Sequence, residues 1–270
     1  MRKGDAGVVA VIGGSIEYTG APYFAGISSM RAGADMVYVF CEPAAATPIK
    51  TYSPELIVFP WLDGAQQKTS IDRISAELKH TDVLVIGPGL SKKEEIRKIV
   101  EGVFVNVFDV VDSFVFDAYG IPAFTNTAES LDTQKIQNKV VLTPNFREIE
   151  MITGPHGKKD LGCASERLFS VCVLEKNETD TVYAYGEKHP VRERGIPRRC
   201  AGQGDILAGC LASLLVKHRA GRRRLLAAAT EASGLVRRAA RAAYRENGDG
   251  TIASDILLEI AAAKKHSRKP

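Results

Sequence analysis

The sequence has little of what stabilises small secreted proteins or zinc sites. Five cysteines occur in 270 residues, an odd number, at wide spacings and without a Cys-x-x-Cys pair. This usage argues against a disulfide framework and fits a reducing compartment. No apolar run approaches the roughly 20 residues that a membrane helix needs, and the N-terminus lacks a signal-peptide core. We therefore expect a cytoplasmic protein that does not act at a membrane, with a mitochondrial location left open.

The chain also lacks strong charge, repeats and linkers. Its net charge is +4 at pH 7, with 45% hydrophobic and 25% charged residues. This surplus helps to attract an anionic ligand but is too small to indicate nucleic acid as a partner. With no low-complexity tract and no clear linker, residues 1–270 are expected to form a single domain.

What the sequence does have is a series of short, β-branched apolar runs. Several are continuous, as in strands that are covered on both faces. Helical patterns separate many of them, for example at 22–33, which starts at a proline and stops at a glycine. From about residue 205 onward the pattern is helical only. The alternation predicts an α/β fold, a mostly parallel sheet between two layers of helices. The expected strands are 8–12, 36–40, 56–59, 83–86, 114–116, 139–142, 171–174 and 181–185.

A glycine turn precedes one of the late helical patterns. It reads "AGQGD" at 201–205, and an apolar stripe runs from 206 to 217. Glycines allow close backbone approach, and unpaired N–H groups at a helix start attract anions. Gly202, Gln203 and Gly204 are therefore candidates for an anion hole. The spacing of a Walker A loop is absent.

Asp205 follows the turn directly and has two readings. A carboxylate there could accept a proton from an attacking hydroxyl while the amides neutralise a transferred phosphoryl group. Alternatively, it is a helix-capping aspartate that stabilises by about 1 kcal/mol. The turn alone leaves both open.

The flanking residues carry a resemblance to known kinases. "GQGDILAG" resembles the G-[AST]-G-D signature of ribokinase-like kinases. "LTPNFREIEM" supplies Asn145 and Glu148 at the spacing of the N-x-x-E element of that superfamily. The resemblance implies a ribokinase-like three-layer α/β/α sandwich, with Mg²⁺ near Glu148 and the ATP phosphates.

Longer segments resemble one branch of that superfamily, the NAD(P)H-hydrate dehydratase family in its ATP-using, eukaryotic form. They keep the family order from residue 8 to about 257. The segments are "VIGGSIEYTGAPYFAGISSMRAGADMVYVF", "YSPELIV", "VLVIGPGL", "LTPN", "RRCAGQGD" and "GDGTIASDIL".

The resemblance implies a repair reaction. ATP phosphorylates the ring hydroxyl of the S form of hydrated NADH or NADPH (NADHX, NADPHX). Phosphate then leaves and the double bond returns, which gives NAD(P)H, ADP and phosphate. The expected partners are these small molecules together with Mg²⁺. The sequence leaves open a homo-oligomer and the preference between the two hydrates.

The resemblance also implies residue roles, with Asp205 as the base beside the anion hole. The implied ATP-binding residues are Lys176, Asn177, Glu178, Thr179, Asp180, Gly195, Ile196, Pro197, Arg198, Arg199, Cys200, Ala201, Gly202, Gln203 and Gly204. The implied substrate-binding residues are Tyr18, Thr19, Gly20, Ala21, Gly87, Gly89, Asn145, Phe146, Arg147, Glu148, Ile149, Glu150, Met151 and Asp205.

One departure keeps other functions open. The family usually has Asp-Ala-Asp-Gly in mid-chain, where this chain has Asp117-Ala118-Tyr119-Gly120. A tyrosine in place of the second acid puts affinity or rate in doubt and favours a nucleotide-binding protein without turnover. A ribokinase-like kinase of a small alcohol, of the hydroxyethylthiazole or pyridoxal type, is the other alternative.

Overall fold

Nine strands form the centre of the part of the chain that the structure describes. The structure, a computed structural model, describes residues 4, 6–149, 171–221 and 223–266. The strands are β1 (Val8–Ile12), β2 (Met36–Phe40), β3 (Ile57–Phe59), β4 (Val83–Ile86), β5 (Ser113–Phe116), β6 (Val140–Leu142), β7 (Cys172–Glu175), β8 (Thr181–Ala184) and β9 (Glu187–Pro190). They make one sheet in the order β3-β2-β1-β4-β5-β6-β7-β8-β9. The eight strands predicted from the sequence correspond to β1 through β8, and β9 was not predicted.

Most of this sheet is parallel, as expected. Neighbours from β3 through β7 pair in parallel, and β1 lies between β2 and β4. β8 and β9 are antiparallel additions at one edge. Tyr185 and Gly186 join them with φ values of 56° and 75°, so both turn residues are left-handed, as in a tight hairpin. Chain order reverses between β1 and β4, and ligands of such sheets bind beyond the carboxyl ends at this reversal.

Helices cover both faces of the sheet. They are α1 (Gly20–Ala32), α2 (Pro43–Tyr52), α3 (Gln67–Glu77), α4 (Glu94–Val107), α5 (Gly120–Thr127), α6 (Thr133–Gln137), α7 (Gln203–Lys217), α8 (Arg224–Asn247) and α9 (Ala253–His266). Val9 and Val11 pack with α1, α2, α7, α8 and α9 on one face. Ala10 and Ile12 pack with α3, α4, α5 and α6 on the other. This alternation with period two confirms the three layers.

Two predicted helices differ in their bounds. The helix expected at 22–33 is α1, and Gly33 ends it in the left-handed conformation with a φ of 116°. The helix expected from 206 begins at Gln203, so Asp205 lies inside its first turn. No helix within the described ranges is long and apolar enough to cross a membrane.

Helix α7 lies unusually close to α1. A Cβ built on Gly209 would be 2.0 Å from the carbonyl oxygen of Ala25, and the Ser29 hydroxyl donates to the Gly209 carbonyl at 2.9 Å. Only glycine permits this approach. Because the glycine turn opens α7, the contact with α1 also fixes where that turn lies.

Candidate active site

The glycine turn caps α7 with backbone alone. Gly202 is the N-cap, with a φ of 87°, and α7 has no side-chain cap. A Cβ at Gly202 would lie 2.8 Å from Cβ of Ala253 and 3.2 Å from the ring of Phe24. The capping reading of Asp205 is therefore wrong, because the cap is Gly202 and Asp205 is the third residue of the helix. The Gln203 N–H donates to the Cys200 carbonyl oxygen at 3.3 Å. The N–H groups in the first turn of a helix have no partner within the helix, which makes this end of α7 a candidate anion site.

Asp205 has the acidity of a group poised for proton transfer. Burial raises its pKa from an ordinary 3.8 to about 7, and the negative charge of Asp117 acts in the same direction. The positive charge of Lys176 opposes this shift. A carboxyl group with a pKa near neutrality matches the requirement for a general base at physiological pH.

Lys176 lies at the centre of the charged groups. It follows β7 and is 8% exposed. Its Nζ lies 2.5 Å from Oδ1 of Asp117 and 3.4 Å from Oε2 of Glu148. Burial alone would lower the pKa of Lys176, but the carboxylates of Asp117 and Glu148 raise it above its ordinary value. Lys176 therefore stays protonated, a fixed positive charge at the carboxyl edge of the sheet.

This charge lies beside the glycine turn. A Cβ built on Gly204 would be 3.5 Å from Lys176 Nζ. The Lys176 backbone N–H donates to the Pro144 carbonyl at 2.8 Å, which ties the end of β7 to the segment after β6. The ends of β5, β6 and β7 thus meet the start of α7.

Asn145 and Glu148 form a reciprocal turn. The Asn145 side-chain oxygen accepts hydrogen bonds from the backbone N–H groups of Arg147 and Glu148, at 2.9 and 3.0 Å. Oε2 of Glu148 accepts the Asn145 N–H at 2.9 Å. This capping-box arrangement gives the N-x-x-E spacing a local structural reason. Burial raises the pKa of Glu148 above its ordinary value, and Asp117 adds to this.

The donor set fits Mg²⁺ held together with phosphate. Within the described ranges no group of three or more His, Cys, Asp or Glu residues could hold a metal ion by itself. Mg²⁺ usually takes one or two carboxylates, water and substrate phosphate oxygens. Glu148 supplies one such carboxylate at the end of the sheet, whereas the Asp117 carboxylate is buried against Lys176 and Thr143.

The "GPG" turn after β4 joins two further loops to the site. Gly87 and Gly89 have φ values of 127° and 68°. A Cβ on Gly87 would lie 1.7 Å from the Asp117 carbonyl oxygen, and one on Gly89 would lie 2.4 Å from the Tyr18 carbonyl oxygen. The turn therefore packs between the β5 end and the loop that leads into α1. Tyr18 itself is 61% exposed.

The Asp180 side chain is buried and paired within the protein, so it does not lie on an open binding surface. It is 1% exposed and accepts hydrogen bonds from the Ser233 hydroxyl at 2.6 Å and from Arg237 Nε at 2.9 Å. Arg199 also contacts this carboxylate. Burial alone would raise the pKa of Asp180, but the bonds from Arg237 and Ser233 and the charge of Arg199 hold it below its ordinary value.

The structure brings some of the predicted residues together and separates others. Asp205, the glycine turn, Lys176, Asn145 and Glu148 form one group. Phe146 is 49% exposed, whereas Ile149 is 1% exposed and packs in the core. Glu150 and Met151 lie outside the described residues. The remaining predicted ATP-binding residues lie on the 176–180 and 195–201 segments, of which 177–179 and 197–199 are exposed.

Sequence reasoning assigned no site role to two residues that shape the site, Asp117 and Arg237. Asp117 was noted only as a surviving family acid, yet its carboxylate pairs with Lys176 and accepts the Thr143 hydroxyl at 2.8 Å. Arg237 was missed. Its signal was an arginine on the apolar stripe of α8, one turn after the buried Ser233.

Tyr119 lies at the margin of the site. It precedes α5, packs against the core on the α4 face, and has Lys92 Nζ 5.0 Å from its ring centroid. Ala118 before it has a φ of 46°, a strained value for a residue other than glycine.

Comparison with solved structures identifies the class of fold to which this chain belongs. A ribokinase-like superfamily protein from Enterococcus faecalis superposes with a TM-score of 0.81 at 19% identity, over 100% of this chain and 90% of that one. The ADP/ATP-dependent NAD(P)H-hydrate dehydratase from Bacillus subtilis, co-crystallised with ATP and Mg²⁺, gives 0.71 at 19% identity, over 98% and 91%. The fold is therefore ribokinase-like.

Sequence comparison narrows this class to one family. The family model described as NAD(P)H-hydrate dehydratase matches residues 9–262. The ATP-dependent (S)-NAD(P)H-hydrate dehydratase of Drosophila melanogaster is 38% identical over 263 residues, which cover 96% of this chain and 86% of that protein. The chain belongs to the NAD(P)H-hydrate dehydratase family, as its motifs predicted.

Proposed function

We propose that this chain catalyses the ATP-dependent dehydration of the S form of NADHX and NADPHX to NADH and NADPH, with release of ADP and phosphate. Family membership and the names of its relatives support the reaction. The observation that carries the chemical assignment is Asp205, which has a pKa of about 7 beside the amides that open α7.

Asp205 acts as the base in the first step. Its carboxylate accepts the proton of the ring hydroxyl while that oxygen attacks the terminal phosphorus of ATP, and the bond to ADP breaks. Gly202, Gln203 and Gly204 hold the transferring phosphoryl group through backbone N–H groups. Phosphate is a better leaving group than hydroxide, so the C–O bond of the phosphorylated hydrate then breaks. The adjacent ring carbon loses a proton to the departing phosphate, and the electron pair of that C–H bond restores the ring double bond.

Lys176 provides the fixed positive charge for this transfer. Asp117 and Glu148 keep it protonated, and its position beside Gly204 supports a role next to the transferring group. Glu148 is the residue that would hold Mg²⁺. When bound there, it would neutralise charge on the ATP phosphates.

The two substrates occupy different parts of the carboxyl edge. ATP lies over the 176–180 and 195–201 segments, on the β7 side of the turn. The hydrate lies toward Tyr18–Ala21, the Gly87–Gly89 turn and the 145–149 segment. The packing of the Gly87–Gly89 turn against Asp117 and the Tyr18 loop supports this division.

We also propose that residues 1–270 act as one domain, since the described strands form a single continuous sheet. A cytoplasmic location remains an expectation from the sequence, which leaves a homo-oligomer open.

The test is incubation of the purified chain with Mg-ATP and each S hydrate separately. We expect the NADH absorbance band to return, with ADP and phosphate formed in equal amounts. An accumulating phosphorylated alcohol would instead indicate a small-alcohol kinase. ATP binding without ADP release would indicate a nucleotide-binding protein that does not turn over.

A further inference from the structure

Arg237 uses every one of its N–H donors inside the protein. It lies on α8 and is 3% exposed. Nε donates to Asp180 Oδ2 at 2.9 Å, and Nη2 lies 2.8 Å from Asp180 Oδ1. The remaining donors reach backbone carbonyls of Asn177 and Glu178, both at 2.9 Å, and of Glu193 at 3.3 Å. Guanidinium has five donors in a fixed fork, so this set is complete.

These acceptors belong to two separate chain segments. Asn177, Glu178 and Asp180 follow β7, directly after Lys176. Glu193 begins the run that leads through Gly195 to the glycine turn, and a Cβ on Gly195 would lie 3.1 Å from Arg237 Nη1. Arg237 therefore holds together the segment that follows Lys176 and the segment that leads to the glycine turn.

Asp180 is the buried acid that pairs with Arg237. Its carboxylate accepts the fork of Arg237 as well as the Asn177 N–H at 3.0 Å and the Ser233 hydroxyl at 2.6 Å. A buried ion pair is kept only when its remaining hydrogen bonds are satisfied, as they are here. Lysine has three donors on one nitrogen and cannot match this geometry.

We propose that Arg237 is a positioning residue for ATP, which acts through Asp180 and the backbone of 177–178 and 193 and has no contact with the hydrate. The assignment rests on the proposed function. Loss of Arg237 should therefore weaken the binding of ATP and not that of the hydrate. The segments to which Arg237 bonds are those proposed to bind ATP, whereas the hydrate residues lie on the β1, β4 and β6 loops.

Arg237→Lys tests the proposal, with Arg245→Lys as the matched control. Arg245 lies on the same helix and is exposed. For Arg237→Lys we expect calorimetric affinity for Mg-ATP and KM for ATP to worsen by about tenfold or more, with KM for the hydrate within about twofold of the wild-type value. Arg245→Lys is expected to leave all constants unchanged. Equal worsening of both substrates, or no change in ATP affinity, would overturn the proposal.

A second variant covers the case in which Arg237→Lys does not fold. Ser233→Ala removes one hydrogen bond to Asp180, and a smaller loss of ATP affinity without a change in hydrate KM is expected. Unchanged ATP affinity in a folded Ser233→Ala protein together with an unfolded Arg237→Lys protein would make Arg237 a purely structural residue. Absence of turnover in the wild-type protein would count against the proposed function, and Mg-ATP calorimetry would still test Arg237.

Discussion

At the scale of single residues, Asp205 shows how a protein makes a base from an acid. Desolvation and the nearby Asp117 both disfavour its charged form, whereas Lys176 favours it. The balance leaves a pKa of about 7, where a carboxyl group exchanges protons readily under physiological conditions. Lys176 stays charged because it is paired, so the two groups have separate roles.

Asp205→Asn tests the base. The amide is close in size, so Mg-ATP should bind with nearly wild-type affinity, whereas kcat should fall by about 10³-fold because no group accepts the hydroxyl proton. Single-turnover assays and calorimetry measure the two effects. Asp72→Asn, on the exposed face of α3, is the control and should be fully active. Near-normal kcat in Asp205→Asn would remove Asp205 from this role.

The pH dependence follows from the same pKa. The base must be deprotonated, so kcat/KM should rise with pH through about 7 and level off above it. Since the folded pKa is above the ordinary 3.8, the carboxyl group stabilises the fold at low pH, and this contribution is lost as pH rises through about 7. Asp205→Asn should therefore unfold at a higher temperature than wild type at pH 8. A wild-type rate that is flat between pH 6 and 8 would contradict the assignment.

The site roles of individual residues differ in how far they could be predicted from the sequence. Asp205 could be found because Gly-x-Gly-Asp before an apolar helix carries a local chemical meaning. The burial of Lys176 could not be found from its own segment, since its partners Asp117 and Glu148 lie 59 and 28 positions away in the chain. Asp180 was assigned to ATP by resemblance, and only the fold shows that its carboxylate bonds to α8.

At the scale of elements, the contact between α1 and α7 positions the phosphate turn. Gly209→Ala would place a methyl group 2.0 Å from the Ala25 carbonyl oxygen, so one helix must move. We expect a loss of about 3 kcal/mol in the free energy of unfolding, measured by urea denaturation, together with weaker ATP binding. Gly250→Ala is the control, because no atom lies within 4 Å of the added Cβ. Equal stability of the two variants would contradict this packing.

The elements also show where sequence patterns succeed. Buried parallel strands such as β1 and β4 are continuous apolar runs, so their bounds were predicted correctly. β9 reads "EKHP" and lies at the sheet edge, where a polar sequence and a proline are tolerated. It pairs with β8 because Tyr185 and Gly186 form a left-handed turn between the two strands. Strand propensity alone does not predict that turn.

At the scale of the whole molecule, the order of the strands gathers the site. Residues far apart in the chain meet because parallel strands end at one edge, and chain order reverses between β1 and β4. The mostly parallel α/β class was predictable from alternating patterns. The nine-strand order was not, because strand order depends on long-range packing that periodicity does not encode.

Ligand binding should stabilise the molecule as one unit. We expect a single thermal unfolding transition, and Mg-ATP at 100 times its Kd should add about 2.7 kcal/mol at 25 °C. Excess EDTA should abolish most of this gain and all turnover, since phosphate charge is then not neutralised. Differential scanning calorimetry measures the number of transitions and the gain in stability, and the recovery of NADH absorbance measures turnover. Two separate transitions would contradict a single domain, and turnover that survives EDTA would contradict a metal requirement.

The most direct measurement of the central claim is a balance of products for wild type and Asp205→Asn. Purified protein is given Mg-ATP and (S)-NADHX, and NADH, ADP and phosphate are quantified over time. The account predicts one NADH, one ADP and one phosphate per hydrate in the wild type, with essentially none in the variant. Recovery of NADH without ATP consumption, or equal recovery by the variant, would contradict it.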